Sequence, residues 1–347
     1  MKKYKGSYKT VVRPVSVLLL QFAILVNLSA QSGTEDFEIS YPARKIENSL
    51  YNKINFADIR YDTTNIGIVQ LGVFNRKVKV VPKIPFQIQL QNVVNALTDS
   101  TSGSGELLFL MRHFNFAEVT SAMSEKGYCY LRAELYAKTN DQFQKINVID
   151  TIIVIKSMDV TRGLFRNGSE LISNFIGTNL LYKPEAGIAY TYNEVLRMDS
   201  IEKSKIPLYT RIEYTNGVYN NYNSFAYQTP DYMDMTVKLK DDMISSVKIQ
   251  GKDGEMQKID SKDIYAVVYE GKIFIATEYG YYPAEKKGEN FYFTGKAKAQ
   301  ANNGDVIAAS MFFGIIGGLI ASEGSSATFR MKIDHKDGGL IRLRVIK

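Results

Sequence analysis

Cysteine, histidine and tryptophan are scarce in this chain of 347 residues, which has one cysteine, two histidines and no tryptophan. A single cysteine, Cys129, excludes an internal disulfide and a cysteine metal cluster. Because Cys129 lies far from the apolar N-terminal segment, it cannot carry a lipid anchor of the lipoprotein type. Its place on the apolar side of a predicted strand is typical of a small core residue rather than a reactive thiol.

Recognisable catalytic motifs are also absent from the sequence. There is no phosphate loop, no dinucleotide fingerprint and no His-Glu-x-x-His metal motif. Gly103-Ser104-Gly105 lacks the Gly-x-Ser-x-Gly spacing of a nucleophile elbow. We interpret His113 as a strand-surface histidine and His335 as a turn histidine, because neither has a ligand-type partner near it in sequence. The sequence therefore predicts a protein that is not an enzyme and that uses no cofactor or metal.

The N-terminus has the three parts of a secretory signal peptide. A basic start is followed by an apolar segment over 15–28 and by the small residues Ser29 and Ala30. The apolar segment is shorter than the about 20 residues that a membrane span needs. We expect residues 1–30 to be a signal peptide cleaved near Ala30, with cleavage after Ser32 or an uncleaved N-terminal anchor as the alternatives. Export would place the mature chain in the periplasm or in association with the outer envelope.

The net charge of the mature chain argues against nucleic-acid binding. The whole sequence has a formal charge of +7, and residues 1–30 hold five basic residues and no acidic one. Removing these five charges leaves +2, and no basic run with interleaved aromatic residues remains.

The patterning predicts an α+β fold in two domains. After a lead-in segment over 31–59, residues 60–207 predict a mixed domain with helices on one face of a mainly antiparallel sheet. Period-two alternation over 128–138 indicates a strand with one buried face, and the apolar run 146–155 indicates a central strand. Helices are predicted at about 86–97, 169–181 and 193–203.

Residues 208–347 predict a β-rich domain, a meander or roll with tight turns. Its predicted strands begin with 208–214 and continue through 290–294, and an amphipathic hairpin follows over 328–346. We interpret Asp334 and Asp337, at the turn of that hairpin, as turn residues rather than calcium ligands. A two-stranded hairpin is marginal alone, so we expect it to join the preceding meander.

An apolar helix is predicted over 306–321, and small residues recur on it every four positions. On a helix this spacing forms one stripe, which favours close approach of another backbone. The members of the stripe are Ser310, Gly314, Gly318 and Ser322. At 1.5 Å per residue the segment spans about 24 Å, short of a typical bilayer core. We favour a buried or partner-facing helix, and membrane association through this helix is the alternative.

Tyrosine and asparagine alternate in a segment after the domain boundary. These two residue types together make adaptable contact surfaces. The candidate contact residues for a partner protein or glycan are Tyr214, Tyr219, Asn220, Asn221, Tyr222 and Tyr227. The alternative is a polar loop between domains.

The C-terminal third resembles a group of exported proteins of the Bacteroidota. The resemblance rests on 263–265, 271–275, 280–283 and 312–321 (FFGIIGGLIA), and it covers Ser245 to Lys347. Such proteins pair a β-rich domain with a Gly-rich apolar helix and a last hairpin, and the resemblance implies an envelope location without a known activity. The helix is also similar to glycine-zipper segments, although serines stand at 310 and 322. The region 66–155 is similar in element order to periplasmic auxiliary domains of transport systems.

These observations together predict a non-enzymatic exported cell-envelope protein that binds or scaffolds a partner, which is an envelope protein or a glycan. The first alternative is a membrane-anchored envelope protein held by helix 306–321. The second is a hydrolase acting on an envelope or glycan polymer, which would need carboxylates brought together from distant strands.

Overall fold

Two long antiparallel strands form the centre of the fold. The computed structural model describes residues 33–72, 76–120, 125–157, 160–251, 253–298 and 326–346. The first 32 residues and 299–325 lie outside this range, so the predicted signal peptide and the predicted helix 306–321 have no structural outcome. The described part is mainly β with some helices. Thr34–Lys347 groups as one compact unit.

The first sheet has eight strands in a mixed arrangement. Its path is β1-β4-β3-β5-β6-β7-β8, and β2 pairs with β5 off this path. The strands are β1 (Thr34–Phe37), β2 (Tyr51–Asp58), β3 (Gly67–Leu71), β4 (Arg76–Pro82), β5 (Gly105–Thr120), β6 (Glu125–Thr139), β7 (Gln142–Ser157) and β8 (Ala189–Tyr190). The pairs β1–β4, β2–β5 and β3–β5 are parallel and the other neighbours are antiparallel. Strands β1 and β2, which lie within the predicted lead-in segment 31–59, belong to this sheet.

Helices cover both faces of the first sheet. Within the described residues the helices are α1 (Phe86–Leu97), α2 (Thr161–Asn179), α3 (Tyr192–Leu196), α4 (Met198–Lys203), α5 (Pro207–Thr210) and α6 (Tyr222–Tyr227). The apolar stripes of α1 and α2 pack on the face that carries Phe109 and Leu131. Val195 of α3 and Met198 of α4 pack on the opposite face, beside Leu108. The prediction that the helices lie on one face is thus wrong for the segment 193–203.

The second half contains two antiparallel sheets. The strands are β9 (Gly217–Tyr219), β10 (Met235–Lys240), β11 (Met243–Gln250), β12 (Met256–Ile259), β13 (Ala266–Tyr269), β14 (Lys272–Thr277), β15 (Gly280–Lys287), β16 (Asn290–Lys298), β17 (Ser326–Ile333) and β18 (Leu340–Val345). Seven of them form the order β18-β17-β16-β15-β14-β13-β9, and β10-β11-β12 form the other sheet. A 3₁₀ turn spans Ser261–Asp263. The C-terminal hairpin β17–β18 joins the meander through β16, as predicted.

Three local predictions fail for identifiable reasons. The segment predicted as strand 208–214 begins with helix α5, which Pro207 initiates because its fixed φ suits the first helical position. Strand β7 is not buried on both faces, since Val148 and Val154 are exposed, and it is not central over 146–155, since β8 pairs with it only at Phe143 and Gln144. Strand β6 is buried on both faces, although its alternation indicated one.

Candidate functional site

A β-bulge in strand β5 places two polar side chains on the face of the first sheet that points away from α1 and α2. Met111 is opposite Ala133 and His113 is opposite Arg132, so Arg112 is the extra residue of the bulge. The inward side chains accordingly change from odd positions, such as Met111, to even ones, such as Phe114. Arg112 and His113 therefore lie beside Arg132 on the face that α4 covers.

Arg112 is buried and surrounded by three carboxylates. Its guanidinium donates to Glu134 at 2.5 Å, to Asp199 at 2.6 Å and to Glu202 at 2.5 and 2.9 Å. Asp199 and Glu202 come from helix α4, so this cluster attaches α4 to the sheet. Burial lowers the pKa of Arg112, but the carboxylates more than offset that effect and hold it above its ordinary value.

Arg132 makes the equivalent connection to the C-terminal hairpin. It donates to Asp150 of β7 at 2.7 Å and to Asp334 and Asp337 of the β17–β18 turn, each at 2.6 Å. Asp334 and Asp337 also accept from the backbone N–H groups of Lys336 and Gly339, as turn residues do. The prediction of turn residues is confirmed, and the ion pairs with Arg132 were not foreseen.

Arg112, Arg132 and the groups bonded to them form one charge cluster. Glu134, which is 0% exposed, is its most deeply buried acid. It accepts from Arg112, from Lys145 at 2.6 Å and from the Tyr136 hydroxyl at 2.5 Å. Burial raises the pKa of Glu134, but Arg112 and Lys145 outweigh burial and hold it at about 2. The carboxylate is therefore charged and fully engaged.

His335 is a turn residue as predicted, but it is buried within the charge cluster. Its Nε2 lies 2.8 Å from Glu202 Oε2. Asp199, Glu202 and His335 bring their ligand atoms within 4.8 Å of one another, which is a geometry that a metal ion could use. Arg112 Nη2 already lies 2.6 Å from Asp199 Oδ1 and 3.4 Å from His335 Nε2. A guanidinium thus occupies the position of the metal, and the donor set does not fit an additional ion.

On the other side of the His335 turn lies an open groove of about 470 Å³. We call it the turn groove, and it is lined by Ile206, Asn221, Tyr222, Asn223, Ala226, Tyr227, Tyr265, His335, Lys336, Asp337 and Gly338. The hydroxyl of Tyr222 donates to the carbonyl of His335, and that of Tyr265 donates to the carbonyl of Gly338, each at 2.8 Å. Both hydroxyls are therefore engaged, and the two rings pack edge to face on each other at 5.5 Å between centroids.

The structure separates the predicted tyrosine–asparagine contact residues. Asn221, Tyr222 and Tyr227 line the turn groove, and Tyr227 is 52% exposed. Tyr219 is fully buried in strand β9 and donates to the carbonyl of Thr215, so it cannot contact a partner. Asn221 caps helix α6 by accepting from the Ser224 N–H.

The two remaining predicted contact residues lie outside the groove. Tyr214 packs against Phe291, and the N–H of Asn220 donates to Asp231. The predicted packing stripe Ser310, Gly314, Gly318 and Ser322 lies outside the described residues. Cys129 is a core residue, as predicted, and burial raises the pKa of its thiol.

Comparison with known proteins gives little further information. No family model matches the sequence, and no curated protein matches it. A solved structure from Xanthomonas campestris, of a protein assigned to the DUF330 family, is similar over 43% of this chain and 95% of its own. The identity is 9% and the TM-score is 0.28, a level at which the likeness carries no argument. No helix among the described residues is long and apolar enough to cross a membrane.

Proposed function

We propose that this protein is a non-enzymatic, exported cell-envelope protein that binds a glycan in the turn groove. The observation that carries the proposal is the groove itself, which combines exposed Tyr227 and Asn223 with the ring faces of Tyr222 and Tyr265. Its volume falls within the about 300–1,000 Å³ of ligand sites in proteins. The N-terminal signal pattern and the likeness to exported Bacteroidota proteins support the envelope location.

The chemistry of the groove favours a sugar over an apolar ligand. Aromatic rings offer flat apolar faces, against which the C–H face of a sugar ring can pack. The exposed amide of Asn223 supplies hydrogen-bond donors and an acceptor for hydroxyl groups, whereas the ammonium of Lys336 is already paired with Glu202 at 2.7 Å. A short groove with these walls suits one or a few sugar units of a polymer.

A glycan hydrolase is the second candidate, and Asp337 is the observation that favours it. Burial raises the pKa of Asp337, and the charge of Asp334 raises it further, as expected for a general acid. Hydrolysis needs a second carboxylate across the scissile bond, and Asp337 is the one acid among the described residues that line the groove. This arrangement supports binding without hydrolysis.

The test is co-sedimentation of the purified full-length protein with peptidoglycan sacculi and with purified envelope polysaccharide. We expect Y227A and N223A each to weaken binding by roughly tenfold, because each removes one contact worth about 1–2 kcal/mol. Y182A is the matched control, since Tyr182 is exposed on the first half of the chain. Unchanged binding in both groove variants, or no binding by the wild type, would refute the proposal.

Hydrolysis is measured in the same samples. Release of soluble reducing sugar that D337N abolishes would replace the binding proposal with the hydrolase. Export is tested separately by mass spectrometry of the protein recovered from the envelope, where we expect a mature chain that begins after Ala30 or Ser32.

A further inference from the structure

A small cavity lies between the first sheet and strand β17, on the side of His335 away from the turn groove. Its volume is about 150 Å³. A cavity needs roughly 10–15 Å³ of such space for one water molecule, so this one can admit a group as large as a phosphate. Strands β5, β6, β17 and β18, helix α4 and the hairpin turn all contribute to its wall, together with Ile59 and Tyr61.

The two arginines in the wall of the cavity already have carboxylate partners. Arg112 is paired with acids of β6 and α4, and Arg132 with acids of β7 and the hairpin turn. The two lining acids, Asp199 and Asp334, are the partners of these arginines. Each arginine is therefore matched by three carboxylates, and neither has a charge left over for a ligand.

Lys332 differs from both arginines. It lines the cavity from β17 and is half-buried, and it forms no ion pair with a described carboxylate. Its ammonium lies 5.5 Å from the ring centroid of Tyr61, a cation–π contact that offsets only part of the cost of burying a charge. Burial lowers the pKa of Lys332, and the nearby Lys203 lowers it further.

His113 lines the same cavity beside Lys332. Its ring stacks on Tyr130 at 5.3 Å between centroids, and its Nε2 lies 3.8 Å from Asp334 Oδ2, beyond hydrogen-bond range. Among the described residues, the ring nitrogens of His113 have no closer polar partner. An imidazole and an ammonium with unused donor capacity thus face one polar cavity.

We propose that this cavity binds a small oxyanion, a phosphate or carboxylate group, with Lys332 as its charge partner and His113 as a second donor. The anion would give Lys332 the counter-charge that it lacks, as buried cations require. The inference is independent of glycan binding in the turn groove, because His335 is the one described residue that lines both spaces.

The proposal is tested by thermal unfolding of the full-length protein in added phosphate, sulfate or acetate, with sodium chloride at equal ionic strength as the reference. We expect phosphate and sulfate to raise the Tm of the wild type saturably, in the millimolar range, since ligand binding to the folded state stabilises it. If the site accepts a carboxylate and excludes tetrahedral anions, acetate would raise the Tm and phosphate and sulfate would not.

Lys332→Met and His113→Phe identify the site. We expect K332M to abolish the anion-dependent shift while matching or exceeding the wild-type Tm in chloride, because it removes an unpaired half-buried charge. H113F should reduce the affinity for the anion by several fold. K272M is the control, since Lys272 is exposed on β14. An anion effect that equals that of chloride, or that persists in K332M, would overturn the proposal.

Discussion

Individual charged residues show most clearly what the sequence could not reveal. The alternation over 128–138 predicted one buried face for β6, but Arg132 and Glu134, on the opposite face, are buried as well. Their partners come from β5, from β7 and from the hairpin turn, up to 205 positions away in the chain. Local periodicity reports the direction of a side chain and not what covers it, so this cluster could not be predicted.

Arg112 is the residue whose loss should destabilise the protein most within the charge cluster. Replacing it by Met leaves Glu134 fully buried beside fewer cations, and removing one partner of a buried ion pair costs about 3–5 kcal/mol. We expect R112M to lose this amount of unfolding free energy in urea titrations. R211M, at an exposed position, should change it by less than about 0.5 kcal/mol. A loss of unfolding free energy below about 1 kcal/mol in R112M would show that the charge cluster does not stabilise the folded protein.

His113 should make the stability depend on pH above the range in which carboxylates titrate. Burial lowers its pKa from 6.5 to about 4, and Arg132 and Lys332 add to this effect while Asp334 and Asp199 oppose it. A depressed pKa in the folded state means that stability is present above pH 6.5 and is lost as the pH falls towards 4.

We expect H113F to show a smaller loss of unfolding free energy between pH 6.5 and pH 4.5 than the wild type. The measurement is urea unfolding at several pH values in buffers without phosphate, since an anion in the cavity would raise the pKa of His113. Equal slopes for the two proteins would show that another group causes the pH dependence.

At the scale of elements, prediction succeeded where the pattern is local and long. Helix α1 and strand β6 were found, because their periodicity extends over several residues. The bulge in β5 had a visible signal, the change of apolar positions from Phe109 and Met111 to Phe114 and Phe116. Leu108 and Leu110 masked it, since they are apolar too and face α3 and α4.

The β17–β18 turn depends on one glycine. Gly338 has φ +78°, and a Cβ there would lie 2.3 Å from Cγ of Tyr222. Gly254 is a matched control, with φ +84° and no atom within 4 Å of a Cβ. Alanine at either position costs about 1–2 kcal/mol for its left-handed backbone. We expect G338A to lose clearly more unfolding free energy than G254A, and also to weaken glycan binding by displacing Tyr222. Equal losses would show that the turn can shift without cost.

At the scale of the whole molecule, the C-terminal hairpin connects the two halves of the described chain. It is the edge of the second sheet, and its turn supplies the acids that hold Arg132 of the first. The sequence predicted the hairpin and its attachment to the meander. The attachment to the first sheet had no signal, because it depends on three-dimensional proximity of charges. Whether the predicted division near residue 207 separates two domains stays a prediction.

The pairing of β16 with β17 bears on membrane attachment through 306–321. Seven residue pairs connect these strands, from Tyr292↔Lys332 to Lys298↔Ser326, so the chain leaves and re-enters the same sheet around this segment. A single membrane crossing between Lys298 and Ser326 would place the two strands on opposite sides of the bilayer. The pairing therefore argues against an anchor of that kind, and it agrees with the about 24 Å length of the segment as a helix.

We expect the mature protein to be released from envelope membranes by alkaline carbonate, which removes proteins not embedded in lipid. The positive control is the same protein with 306–321 replaced by an uninterrupted apolar helix of about 22 residues, which is long enough to cross the bilayer. Because such a crossing is incompatible with the β16–β17 pairing, we expect this variant either to stay in the pellet or to fail to fold. Circular dichroism of the extracted fraction distinguishes these two results. Retention of the wild type in the pellet after carbonate would favour the membrane-anchored alternative and would require that β16 and β17 separate.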